Sequence, residues 1–177
     1  MLLEYIGEKY PCYYVTGNHE ARVSEYNDLK EGLNELGVIV LEDEKVEIKQ
    51  YGEKIVLLGV DDPSFQTDYL HGDSVTVMRG NLQELKNEEY AYRVLLSHRP
   101  ELFETYVESG VDLVLSGHAH GGQWRFFGRG VYAPGQGLFP KYTSGMHDGR
   151  FIISRGLKKT VIPPRIFNPT EIVIIDT

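Results

Sequence analysis

Apolar positions along the chain change period repeatedly, and each change marks a short element. Leu2-Leu3-Glu4-Tyr5-Ile6 reads as the last turns of an amphipathic helix with no capping residue before it, and Pro11 ends it. Cys12 to Thr16 forms an apolar strand. A helix is predicted over roughly Val23 to Leu36, where Tyr26, Leu29, Leu33 and Leu36 recur at helical spacing and Gly37 serves as C-cap. Val38 to Leu41 reads as a strand. Val46-Glu47-Ile48 and Ile55 to Val60 flank Tyr51-Gly52 as a hairpin, the second arm apolar enough for burial on both faces. Asp61 to Asp73 is loop-like, and a helix occupies part of Ser74 to Glu89, with Gly80 leaving its limits open. Two further buried strands, Tyr92 to Leu96 and Val111 to Leu115, bracket a short helix over Pro100 to Ser109 with proline in its first turn. Gln123 to Phe127, Arg150 to Ser154 and Glu171 to Ile175 complete the strands.

Strands and helices alternate early and strands dominate late, which argues for a layered α/β domain. No repeat, low-complexity stretch or linker divides the chain, so residues 1–177 are read as one domain. With 177 residues, 41% hydrophobic and 25% charged, the chain is long enough for a real core. The net charge of -8 repels nucleic-acid phosphates, so nucleic-acid binding is not expected. It leaves phosphorylated substrates open, because bound divalent cations reverse the field locally. The single Cys12 cannot close an internal disulfide and sits in an apolar stretch, which favours a buried thiol and a reducing compartment. No apolar run reaches the roughly 18 residues of a membrane span, and no signal peptide opens the chain, so a cytoplasmic location is expected.

Three segments share one design, a hydrophobic strand running into a polar turn that contains histidine. They are Tyr14-Val15-Thr16-Gly17-Asn18-His19-Glu20, then Val94-Leu95-Leu96-Ser97-His98-Arg99-Pro100, and Leu113-Val114-Leu115-Ser116-Gly117-His118-Ala119-His120-Gly121-Gly122. Ligands collect beyond the carboxyl ends of strands in α/β sheets, so three such ends can converge. Imidazole nitrogens and an amide oxygen suit Zn, Mn, Fe or Ni better than Ca or Mg. His118 and His120, two residues apart, point to one side of an extended backbone. Gly117, Gly121 and Gly122 permit tight turns and close approach to an anion. A solitary His98 reads first as a hydrogen-bonded structural histidine; the pair His118 and His120 tilts the reading toward metal, and three such strand ends in one chain tilt it further.

Gly17-Asn18-His19-Glu20, then Ser97-His98, then Gly117-His118-Ala119-His120-Gly121-Gly122-Gln123-Trp124 resemble, in this order, the later motifs of the calcineurin-like metallophosphoesterases. Ser154-Arg155-Gly156-Leu157 and Pro164-Arg165-Ile166-Phe167-Asn168-Pro169-Thr170-Glu171-Ile172 resemble the tail of one bacterial branch. The resemblance implies a β-sandwich flanked by helices (αββα) and hydrolysis of phosphoesters at two divalent transition-metal ions. It implies Asn18, His98 and His118 as ligands of one ion, His120 as a ligand of the other, and His19 as the catalytic histidine. The substrate it implies is a phosphorylated small molecule or a lipid-linked phosphoester. Full-length relatives in this branch often carry an N-terminal membrane anchor, so a membrane-attached parent is part of the expectation. Trp124 to Phe127 is either a wall of a substrate groove or a strand packed on the core.

The family pattern opens with Asp-x-His and Gly-Asp-x-x-Asp, and only 16 residues precede Gly17, none forming either motif. Asp61-Asp62 and Gly72-Asp73 come after Gly-Asn-His, in the wrong order, and Asp68 and His71 are separated by two residues rather than one. The chain is thus expected to lack the first two βα units and to hold at most one ion, because three neutral ligands bind a dication weakly and two uncompensated dications repel. Little or no hydrolysis by this chain alone is the resulting expectation. The alternatives are a non-catalytic metal- or phosphate-binding remnant and one half of a split enzyme. Homo-oligomerisation through an uncovered sheet edge is a further expectation.

Overall fold

The apolar runs read as buried strands meet in one six-stranded sheet. A computed structural model of the chain describes residues 2–50, 52–69, 71–86, 91–157 and 164–176. In chain order the helices are α1 (Leu2–Gly7), α2 (Tyr26–Glu35), α3 (Ser74–Glu84) and α4 (Phe103–Glu108). The main strands are β1 (Cys12–Tyr14), β2 (Val38–Val40), β3 (Glu44–Gln50), β4 (Glu53–Gly59), β5 (Tyr92–Ser97) and β6 (Leu113–Ser116). Short strands follow as β7 (Arg125–Phe126), β8 (Arg129–Gly130), β9 (Tyr132–Ala133), β10 (Gly137–Leu138), β11 (Gly145–His147) and β12 (Phe151–Ile153).

The large sheet has the order β11-β12-β6-β5-β4-β3. Its four inner strands run parallel and its two edge strands antiparallel. Inner parallel strands are covered on both faces, which is why Val56, Leu57 and Leu58 are consecutively buried. Met78 and Leu82 of α3 and Phe103 and Tyr106 of α4 pack on Val56, Leu58, Leu95, Phe151 and Ile153. The rings of Phe103 and Phe151 stack with centroids 4.3 Å apart. Each such side chain contributes about 1.5–3 kcal/mol by leaving water.

A second, two-stranded parallel sheet joins β1 to β2, and α2 covers it through Leu33 against Val38, Val40, Cys12 and Tyr14. Cys12 is accordingly half-buried at the edge of this small core rather than fully buried. The two sheets meet at Gly59, where an added Cβ would lie 2.3 Å from the Leu41 Cβ. The layered α/β architecture read from the alternation is therefore the one observed.

Several boundaries differ from the sequence reading. Residues Glu20–Arg22 form a separate 3-10 turn, and α2 starts only at Tyr26. Gly37 takes the left-handed conformation expected of it, φ 77°. The Asp73 carboxylate accepts from the Thr76 backbone N–H and caps α3, a start signal the Gly72-Asp73 dipeptide contained. The expected hairpin turn at Tyr51 and the helix end at residues 87–90 lie outside the described residues. Gln123 to Phe127 yields only the two-residue β7, and Phe126 and Phe127 point to solvent. Glu171 to Ile175 is not a strand: Ile172 and Ile174 are exposed, because β-branched residues form a strand only where a ladder partner lies alongside. Among the described residues no helix is long and apolar enough to cross a membrane.

Candidate metal centre

The carboxyl ends of β1, β5 and β6 carry Asn18, His98 and His118, and the structure brings these three side chains together. Asn18 Oδ1 lies 3.0 Å from His98 Nε2, and the rings of His98 and His118 are 4.4 Å apart between centroids. Asn18 and His118 are buried. Local sequence dictates the approach. A Cβ on Gly17 would sit 2.8 Å from His98 Cε1, so any larger residue would push the His98 ring away from Asn18. The Gly17 N–H donates to Glu20 Oε2 at 2.8 Å, closing the turn that presents Asn18. Ser116 Oγ donates to the His98 carbonyl at 3.0 Å and joins the ends of β5 and β6.

The turn after β6 is strained. His118, His120 and Gln123 have φ of 61°, 48° and 54°, alongside Gly121 and Gly122 at 67° and 78°. Each non-glycine residue held there costs on the order of 1–3 kcal/mol and persists only where its surroundings enforce it. The enforcement comes from the tail: Asn168 Nδ2 donates to the carbonyls of His120 (2.6 Å) and Gln123 (3.0 Å). Arg125 donates to the Gly121 carbonyl at 2.8 Å. An added Cβ on Gly122 would lie 2.4 Å from Gly130 Cα, so the turn needs glycine for close backbone passage.

His120 lies within this turn, half-buried, with Arg165 3.5 Å from its Nδ1. It is close enough for its charge to act on both His98 and His118. His19 is exposed, one residue past Asn18, and its carbonyl accepts from the Arg22 backbone N–H.

Burial depresses His98 to a pKa of about 4 and His118 to about 3. Both imidazoles are neutral at pH 7, the form that binds metal. His118 Nε2 is buried without a hydrogen-bond partner, the kind of unmet group that a bound species resolves. Two imidazoles and one amide oxygen fit a borderline transition-metal ion. The nearby carboxylates are engaged elsewhere. Glu20 holds Gly17, Asp61 accepts from Thr16 Oγ1 at 2.6 Å, and Asp62 binds Arg99. Among the described residues no group of three or more His, Cys, Asp or Glu is placed to hold an ion. Asn18, His98 and His118 are the neutral donors gathered here.

Two features of the site escaped the sequence reading. Asp62, taken as a plain loop residue, pairs bidentately with Arg99 at 2.8 and 2.7 Å, both side chains buried. Burial alone would raise the Asp62 pKa, but the Arg99 guanidinium and the Ser64 N–H hold it below the ordinary carboxylate value. This pair ties the end of β4 to the residue following His98. Tyr69, from the loop between β4 and α3, sets its ring edge against His118 at 6.5 Å between centroids. Nothing in the spacing of Asp62 and Arg99, 37 residues apart, signals their contact. The other acidic candidates have local roles: Asp73 caps α3, and Asp68 accepts from the His71 backbone in a turn.

The chain matches the model of the calcineurin-like phosphoesterase family over residues 1–122. It is 31% identical over 166 residues to the protein YpbG of Bacillus subtilis, covering 93% of this chain and 58% of that protein. It is 33% identical over 167 residues to a metallophosphoesterase of Aquifex aeolicus, covering 91% of this chain and 58% of that protein. The chain thus spans little more than half the length of these relatives. The metallophosphoesterase YkoQ of Bacillus subtilis is 30% identical over 183 residues, with 96% of this chain and 61% of that protein covered. A family match across more than two-thirds of the sequence, over a fold that gathers the ends of β1, β5 and β6, places this chain in the calcineurin-like phosphoesterase family.

Proposed function

We propose that this chain carries one side of a metal-dependent phosphoester-hydrolysing site, with Asn18, His98 and His118 as the ligands of one divalent transition-metal ion. The observation that carries the reading is the meeting of these three neutral donors from three separate strand ends. A divalent ion held there would supply Lewis-acid polarisation of a phosphoryl oxygen. Asn18 would offer its amide oxygen and His98 and His118 their imidazole nitrogens, and the buried Asp62–Arg99 pair positions the backbone that bears His98. His120, on the same turn as His118, would be a ligand of a second ion. His19, exposed beside Asn18, donates a proton to the leaving oxygen or stabilises the charge developing on it. The substrate class is a phosphorylated small molecule or a lipid-linked phosphoester.

The donor set favours a chain impaired on its own. The acidic motifs that complete the family's site are not in this sequence, and the nearby carboxylates serve the fold. The same observation supports a second reading, a metal- or phosphate-binding remnant or one half of a split enzyme. Calorimetric titration with Mn²⁺, paired with hydrolysis of bis(p-nitrophenyl) phosphate, tests both. One weak site, lost in His118→Ala, with negligible turnover is the expected result. Tight binding of two ions with sustained turnover would overturn the impairment, and Mn²⁺ binding indifferent to His118→Ala would overturn the ligand assignment.

A further inference from the structure

Beside the three donors stands a cation with no described countercharge. Arg22 is exposed, and among the described residues it forms no ion pair and no side-chain hydrogen bond. Its guanidinium carbon lies 4.5 Å from the centroid of the Tyr69 ring. Tyr69 in turn touches His118 edge-on and lies 4.8 Å from the Arg99 guanidinium carbon. The two arginines differ in one decisive respect. Arg99 is neutralised by Asp62 in a buried bidentate pair, whereas the Arg22 side chain, among the described residues, meets an aromatic ring and no carboxylate. A ring contact positions a guanidinium without consuming its N–H donors, because the attraction acts through the π face.

The main chain anchors the same arrangement. The Arg22 N–H donates to the His19 carbonyl at 3.0 Å, within the turn that follows Asn18. Arg22 therefore belongs to the rim of the candidate centre, separated from His118 by one aromatic ring. In a chain of net charge -8, an unneutralised cation held at such a rim is the element an anion would meet. Guanidinium is also the side chain best shaped for two oxygens of one phosphate or carboxylate.

From this arrangement we infer that Arg22, held by Tyr69, is a specificity-determining contact for a second anionic group of the substrate, lying beyond the phosphoryl group at Asn18, His98 and His118. The inference rests on the proposed site for the position of the reacting phosphoryl. Ligands with two anionic groups close together are favoured over those with one. Tyr69 is a positioning residue in this scheme: it fixes the guanidinium and does not touch the anion.

The test compares phosphonoacetate, which has two anionic groups, with ethylphosphonate, which has one, by calorimetric titration of the whole chain with and without Mn²⁺. Wild type is expected to prefer phosphonoacetate by about tenfold, one charge-assisted contact. Arg22→Gln is expected to bring the two affinities together, and Arg22→Lys to keep most of the preference. Tyr69→Leu is expected to weaken the preference without abolishing it, since the cation remains but is no longer held. Absence of a preference in wild type, or an unchanged preference in Arg22→Gln, overturns the inference. Mn²⁺ titration of the same variants separates the two readings. If Arg22→Gln binds Mn²⁺ as wild type does and loses only the preference, the inference stands. If Arg22→Gln also loses Mn²⁺, its role is structural and the inference fails. If wild type binds no Mn²⁺ yet shows the Arg22-dependent preference, the metal assignment fails and the anion contact survives.

Discussion

Replacing Arg99 by methionine removes a buried guanidinium of similar length and leaves Asp62 behind. The Asp62 side chain is wholly inaccessible and that of Arg99 is 5% exposed. The carboxylate then loses contacts at 2.8 and 2.7 Å and keeps the Ser64 backbone N–H at 2.9 Å. Stranding one partner of a buried pair costs about 3–5 kcal/mol. That is a large part of the roughly 5–15 kcal/mol that holds a domain folded. The pH dependence should invert as well. In wild type the folded Asp62 pKa is depressed, so the pair stabilises above the unfolded carboxylate value of about 3.9 and the stabilisation is lost as pH falls through the folded value. In Arg99→Met burial acts unopposed by the guanidinium and raises the folded pKa, so the penalty eases as pH falls toward 4. Urea unfolding followed by circular dichroism at pH 5 and pH 7 reads both effects. Arg99→Met combined with Asp62→Leu removes both charges and should recover most of the loss, which keeps the test informative if the single variant fails to fold. A single variant within about 1 kcal/mol of wild type at pH 7 would refute the reasoning. So would a double variant no more stable than the single one.

Other consequences follow from the same packing and electrostatics. Gly59→Ala inserts a methyl 2.3 Å from the Leu41 Cβ and should cost about 1–3 kcal/mol, read as a lowered thermal midpoint. Phe103→Ala removes a ring stacked on Phe151 and should cost about 3–5 kcal/mol in the same melt, because both rings are fully enclosed. Burial raises Glu101 to about 7, so the folded chain holds a proton there that the unfolded chain has released. Stability should therefore fall as pH rises from about 4.5, the ordinary glutamate value, toward 7, and Glu101→Gln should flatten that slope in urea melts. Gly17→Val should displace the His98 ring, 2.8 Å from the new Cβ, and abolish Mn²⁺ binding by calorimetry while thermal unfolding stays cooperative.

The inner strands β4, β5 and β6 were legible because parallel strands buried on both faces leave unbroken apolar runs, as in Ile55 to Val60. The histidine turns were legible because each follows such a run directly. Periodicity and local chemistry are properties of neighbouring residues, so a sequence displays them. The extended segment from Glu171 to Ile175 shows the limit: its composition favours a strand, yet a ladder requires a partner, and partnership is settled by the rest of the fold. Asp62 and Arg99 show it again, since a pair 37 residues apart exists only because β4 and β5 lie side by side. The sequence by itself displayed the inner strands, the histidine turns and the family motifs. Tertiary structure alone decided that Asn18, His98 and His118 meet, that Asp62 neutralises Arg99, and that Tyr69 holds Arg22 beside them. Contacts across long loops depend on strand order and on the glycines that let backbones approach, and neither is written in the spacing of residues along the chain.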